Sequence, residues 1–120
     1  VIVHADTRRT AYCDLFETAG QLNLFVVHPG QRTCWHRHQR QTDVFRCIRG
    51  AIRVKKFQTG HVISADLDSP EQAFRVQPGW WHGYECTSNE PAYLLMYLDR
   101  KYDPTDEERV GEDVMPWGHP

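Results

Sequence analysis

The side chains in this sequence best suited to chemistry are His36 and His38, one residue apart in the stretch Gly30 to Gly50, GQRTCWHRHQRQTDVFRCIRG. On a strand, alternate side chains share a face, so both imidazoles point the same way. Asp43 follows in the same stretch, and His82 comes later in Pro78-Gly79-Trp80-Trp81-His82. Imidazole and carboxylate are ligands that Zn, Fe, Mn and Ni accept. They are also the commonest general bases. Two chemistries are therefore open. His36, His38 and Asp43 could serve as ligands of one divalent transition metal. Alternatively the histidines act as bases, and Asp43 merely pairs with Arg46 or Arg49. A third reading makes the stretch a solvated hairpin edge, since Arg37, Gln39 and Arg40 flank the imidazoles. His4, His28, His61 and His119 lack this spacing and are read as surface residues.

These side chains need strands to position them. Short β-type runs separated by turn signals fill the first hundred residues. They are Tyr12 to Glu17, Leu22 to Val27, Thr33 to His38, Asp43 to Arg49, Ala51 to Phe57, His61 to Ala65, Phe74 to Val76, Trp81 to Cys86 and Ala92 to Leu98. No long segment has helical period. Many short strands with Gly and Pro between them predict an all-β sandwich or barrel. From Asp99 the chain turns charged and proline-bearing, DRKYDPTDEERVGEDVMPWGHP. This segment reads as one helical turn from Pro104 to Arg109 capped by Asp103, or as an extended tail. Met115 and Trp117 are its large apolar anchors, docking it on the barrel or on a second subunit. The expectation is a single domain over 1–120, with a barrel core at 1–98 and a C-terminal extension at 99–120.

Several other residues receive plainer readings. Phe45, Cys47, Tyr93 and Leu95 are placed as barrel-lining positions. Arg53, Lys55 and Lys56 could face a pyrophosphate but read first as a solvated strand face. Trp80 and Trp81 could stack on a nucleobase or sugar, or pack in the core. The acidic run Asp106, Glu107, Glu108 reads as solvent-facing.

Composition sets outer bounds. A chain of 120 residues, 40% hydrophobic and 25% charged, is long enough for one core and typical of a globular domain. A formal net charge of -2 provides no broad basic field for nucleic acid. No apolar run approaches the roughly 20 residues that span a bilayer. No signal peptide is visible in VIVHADTRRT, although the missing Met leaves room for trimming. Cys13, Cys34, Cys47 and Cys86 form no CxxC pair and read as reduced, buried small residues. The expected setting is the cytoplasm.

The Gly30 to Gly50 stretch resembles the first motif of the cupin superfamily. Five residues separate Gly30 from His36, four separate His38 from Asp43, and six separate Asp43 from Gly50. Asp43 stands where that family usually has Glu. Pro78-Gly79 leading to His82 resembles part of the second motif, with Cys86 where the family has Asn. With these spacings the solvated-hairpin reading loses most of its force. The C-terminal half, RVQPGWWHGYECTSNEPAYLLMYLDRKYDP, is similar to the dTDP-4-dehydrorhamnose 3,5-epimerase family. The histidine stretch is closer to the related dTDP-4-keto-6-deoxyhexose 3,4-ketoisomerases. The resemblance to this RmlC-like group implies a jelly roll, a homodimer and a nucleotide-linked keto-sugar substrate. It also implies proton transfer beside a ketone without a required metal, with His36 or His38 as base and Tyr97 or Tyr84 as donor. The 3,5-epimerases, however, carry Lys at the position of Asp43. Their tyrosine aligns with Met96, next to Tyr97, and one residue along a strand means the opposite face. Their late aspartate would fall beyond Pro120. These departures favour the competing reading, a metal-binding cupin of dioxygenase or isomerase type, in which His36, His38, Asp43 and His82 converge on one divalent ion with open positions for Lewis-acid or O2 chemistry. A non-catalytic sugar-binding cupin is the remaining alternative.

Overall fold

A computed structural model describes residues 1–118, so His119 lies outside the described residues. Its strands are β1 (Ile2–Ala5), β2 (Arg9–Cys13), β3 (Gln21–Val27), β4 (Arg32–His38), β5 (Asp43–Arg49) and β6 (Ile52–Gln58), followed by β7 (His61–Leu67), β8 (Phe74–Val76), β9 (Trp81–Cys86) and β10 (Ala92–Leu98). A 3-10 turn (Pro104–Asp106), capped by the Asp103 side chain, leads into β11 (Glu107–Arg109). Among the described residues no helix is long and apolar enough to cross a membrane.

The strands form two antiparallel sheets, ordered β1-β2-β3-β10-β5-β8 and β11-β4-β9-β6-β7. The all-β expectation holds, and four strands coincide with their sequence reading: β5, β8, β9 and β10. The run read as Tyr12 to Glu17 instead ends at Cys13, because Asp14 takes φ 57° and turns the chain. Asp tolerates that left-handed conformation better than most residues.

Strand alternation builds the interior. β10 sends Ala92, Leu94, Met96 and Leu98 inward, opposite Phe45 and Cys47 of β5 and Phe25 and Val27 of β3. Tyr93 and Leu95 therefore face outward, correcting their reading as lining positions. On β6 the inward residues are Ile52, Val54 and Lys56. Lys56 is thus not on a solvated face. Its Nζ donates to the Arg75 carbonyl at 2.6 Å and to Gln77 Oε1 at 2.9 Å, between the Phe74 and Trp80 rings. Arg53 does face solvent and pairs with Asp66 at 2.8 Å.

The segment after Leu98 closes one edge of the second sheet. β11 pairs with β4, setting Glu107 opposite His38 and Arg109 opposite His36. Asp106 is buried and accepts the backbone N–H groups of Gln39 and Arg40, and the Glu107 side chain is 8% exposed. Only Glu108 of the acidic run is solvent-facing, where it meets Arg37 at 2.7 Å. Beyond β11 the chain crosses the outer face of the second sheet. Trp117 stacks on Trp35 with ring centroids 5.1 Å apart, and Trp35 Nε1 donates to the Met115 carbonyl at 2.6 Å. Lys55 donates to the Trp117 carbonyl, so it too is engaged.

Candidate functional site

One local irregularity sets the site. Between β4 and β9 the pairs Thr33–Tyr84 and His36–His82 are both formed. Three steps on β4 therefore match two steps on β9, which is a β-bulge with one extra residue. The bulge shifts the alternation of β4 by one. Thr33, His36 and His38 then share the interior face, while Trp35 turns outward to Trp117. Gly83 lies directly across. A Cβ there would sit 2.5 Å from the Cβ of Cys34 and 2.7 Å from the Thr33 carbonyl oxygen. Only glycine allows this close approach.

His36, His38 and His82 converge, with one ring nitrogen from each lying within 4.8 Å of the others. The His36 and His82 rings are 4.1 Å apart. Asp43 enters from the opposite sheet and is 2% exposed. Its Oδ2 is 3.3 Å from His82 Nε2 and 3.8 Å from His38 Nε2, while Gln41 Nε2 donates to its Oδ1 at 2.5 Å. Asp43 does not pair with Arg46 or Arg49. Those arginines reach the Pro70 carbonyl and Glu90 instead. The group converging within 4.8 Å comprises the three imidazoles, and Asp43 stands beside it.

The protonation pattern is informative. His82 Nδ1 is 3.1 Å from the Trp80 carbonyl, which can only accept. Nδ1 therefore carries a proton, and Nε2 faces the Asp43 carboxylate without a hydrogen bond to it. Two acceptors at 3.3 Å repel unless a cation or proton lies between them. His38 Nδ1 and His82 Nε2 are also buried without a hydrogen-bond partner. Desolvation holds His36 well below its ordinary pKa, reinforced by His82 and His38. Desolvation also lowers His38, partly offset by Asp43. Three convergent imidazoles, two of them held low in pKa and the third with an unpartnered Nε2, fit a divalent transition metal on His36, His38 and His82.

His36, His38 and Asp43 line a cavity of about 380 Å3 between the sheets, with His82 just behind them. Tyr84, one of the two candidate donors, lines it. Tyr97 does not, being 43% exposed on the outer face of β10, with Met96 taking the inward position. Tyr97 therefore leaves the candidate set for a geometric reason, strand parity. Trp80 and Trp81 are likewise outside the cavity lining: Trp80 meets Lys56, and Arg37 stacks on Trp81 at 4.4 Å. His4, read as surface, is exposed but also lines the cavity. Sequence reasoning missed Gln41, Arg9, Tyr102, Glu107 and Arg109, all of which line it. One signal was available in β3, where Gln21 and Asn23 share the inward parity of Phe25 and Val27. Polar residues on the core face of a strand point to a polar pocket.

Residues 4–110 match the family described as the polysaccharide biosynthesis C-terminal domain. The chain belongs to that family. The fold of this polysaccharide-biosynthesis domain is shared with the capsular polysaccharide assembling protein CapF from Staphylococcus aureus. That likeness has a TM-score of 0.82 at 17% identity, over 91% of this chain and 31% of the CapF chain. A dTDP sugar isomerase from Desulfovibrio desulfuricans G20 superposes with a TM-score of 0.75 at 24% identity, covering 83% of this chain and 69% of that one. An oxalate decarboxylase from Lactobacillus farciminis superposes with a TM-score of 0.78 at 11% identity, covering 91% and 33%. The chain spans about a third of the CapF length. No curated protein matches it in sequence. The fold is an RmlC-like cupin jelly roll, as the two motifs implied.

Proposed function

We propose that this domain epimerises or isomerises a nucleotide-linked keto-sugar by moving a proton on a carbon next to the ketone. The observation that carries the reading is the convergence of His36, His38 and His82 beside buried Asp43, with His36, His38 and Asp43 lining one cavity. The family description and the fold shared with a dTDP sugar isomerase support the substrate class.

The chemistry follows from the side chains. His36 stays neutral near pH 7, because its pKa is held low, so it is ready to accept a proton. The charge it then gains lies against His82, which contacts Asp43, so the carboxylate stabilises the cationic cluster. Tyr84 is the donor. Its hydroxyl oxygen accepts from Arg9 Nη1 at 2.9 Å, leaving its own hydrogen free for a substrate oxygen or carbanion. The apolar walls Phe25, Ala11, Met96 and Leu98 limit water around the enolate.

The unpartnered His82 Nε2 facing Asp43 favours a second version of the same site. His36, His38 and His82 would hold a divalent Zn, Fe, Mn or Ni ion, with Asp43 beside it. Such an ion would supply Lewis-acid polarisation of the keto oxygen, and Asp43 would be the group beside it to take the neighbouring C–H proton. Tyr84 keeps its role in either version.

The test is proton exchange in D2O, followed by NMR, with UDP- or dTDP-linked 4-keto-6-deoxyhexose. Deuterium should enter beside the ketone, and His36→Ala should slow exchange about 100-fold or more. Loss of exchange on chelation, restored by one metal, assigns the metal version. Persistence after chelation assigns the histidine base. A folded protein that exchanges neither sugar overturns the reading.

A further inference from the structure

Apart from the histidines, five charged side chains line the cavity: Arg9, Asp14, Asp43, Glu107 and Arg109. Every acid among them is already engaged. Asp14 meets Lys101 at 2.7 Å, and Asp43 takes Gln41 and stands against His82. Glu107 accepts from Arg109 at 2.9 Å and from the Tyr102 hydroxyl at 2.6 Å. Arg109 is thus neutralised. Next door, Arg8 is neutralised by Asp6 at 2.7 Å. Arg9 alone among these cations has no carboxylate partner among the described residues. One N–H reaches the Tyr84 oxygen, and the guanidinium lies 4.2 Å from the Phe25 ring centroid.

We propose that Arg9 is the anion subsite of this cavity and takes the diphosphate that joins nucleoside to sugar. The proposal rests on the keto-sugar reading and adds to it the group that fixes the substrate's direction. An arginine has five donors, and here most remain unused. Stacking on Phe25 and the Tyr84 contact hold the planar fork in place, so little side-chain freedom is lost when an oxyanion docks. Bidentate, charge-assisted contacts to phosphate are the strong use of such a fork. The placement also suits the reaction. Tyr84 is two residues from His82 on the same strand face, about 6.8 Å along β9. A diphosphate on Arg9 therefore leaves the attached sugar ring over Tyr84 and the histidines. A carboxylate on an acidic sugar would use the same contacts, so the probes must separate the two sources.

The experiment is calorimetric titration of wild type, Arg9→Gln and Arg9→Lys with UDP, dTDP and glucuronate at several salt concentrations. Wild type should bind at least one nucleotide. Arg9→Gln should weaken that binding at least 10-fold, and Arg9→Lys by less. The salt dependence should flatten in Arg9→Gln, with the thermal midpoint of each variant close to wild type. Equal nucleotide affinity in wild type and Arg9→Gln overturns the proposal. So does binding of glucuronate without either nucleotide, or no nucleotide binding by wild type. Deuterium exchange reports separately. A weakened Arg9→Gln without any exchange sinks the epimerase reading and leaves Arg9 as the anion subsite, whereas unchanged affinity with exchange intact does the reverse.

Discussion

At the scale of single residues, the site is defined by lone pairs that have nowhere to go. His82 has a proton fixed on Nδ1 by the Trp80 carbonyl, and its Nε2 meets the Asp43 carboxylate with no hydrogen bond between them. Asp43→Asn supplies an amide N–H, which suits an Nε2 that carries no proton. The metal-free variant should then melt at or above the wild-type temperature while exchange activity falls. A large loss of thermal stability would show that Asp43 is balanced by a proton in the resting protein. The histidines also predict a pH dependence. His36 and His38 are held below 6.5 in the folded protein. The unfolded chain titrates near 6.5 and so binds more protons than the folded one just below that value. Stability of the metal-free protein should therefore fall as pH drops from 7 towards 5. It should be free of this penalty above pH 7. Thermal midpoints measured across that range should fall less steeply for His36→Gln, and an unchanged slope would assign the effect elsewhere. His36, His38 and Asp43 were legible in the sequence because spacing along one stretch carries them, and His82 was legible through the resemblance of its stretch to the second cupin motif. Arg9 and Gln41 were not, since their roles depend on cross-sheet distances that no spacing encodes.

Elements decide which of those residues meet. Strands with alternating apolar residues, such as Asp43–Arg49 and Ala92–Leu98, were legible because one face is buried. β1 was not, as all four of its residues are exposed and carry no alternation. β11 was missed for the opposite reason. Its sequence Glu-Glu-Arg has no strand character, and its place comes from its partners. Asp106 caps the loop after β4, and Glu108 meets both Arg37 and Gln39 at 2.7 Å. The bulge in β4 was also hidden, and with it the outward turn of Trp35. Gly83 is the residue that makes the bulge possible. Gly83→Ala would force a Cβ into the Thr33–Cys34 backbone, an overpacking cost of about 1–3 kcal/mol. Chemical denaturation should show that loss, with impaired proton exchange because His36 and His82 are cross-strand partners at the bulge. A variant of wild-type stability would mean that the β4–β9 pair can slide apart freely.

For the molecule as a whole, the C-terminal segment connects the outside of the second sheet to the cavity. Trp117 is 8% exposed, stacked on Trp35, and its carbonyl takes the Lys55 ammonium. Between it and the site runs a short ladder. Trp35 and Val110 exchange both backbone hydrogen bonds, at 2.9 and 3.1 Å, and Arg109 then pairs with His36. The sequence marked Trp117 as an anchor because it is a large apolar residue in a charged tail. The surface it covers was not readable, because Trp35 faces outward only through the bulge. Trp117→Ala removes most of a buried indole, a loss of about 3 kcal/mol for a tryptophan in a well-packed setting. The consequence should be graded along the chain. Hydrogen exchange should accelerate first at the Trp35 and Val110 amides, then along β11, while β3 and β10 in the other sheet stay protected. Because Glu107 and Arg109 form one wall of the cavity, nucleotide affinity should weaken as β11 loosens, although Trp117 touches no cavity atom. Uniform acceleration across both sheets would instead make the tail part of the global folding unit. Unchanged protection at Val110 would show that β11 is held by its acidic residues alone.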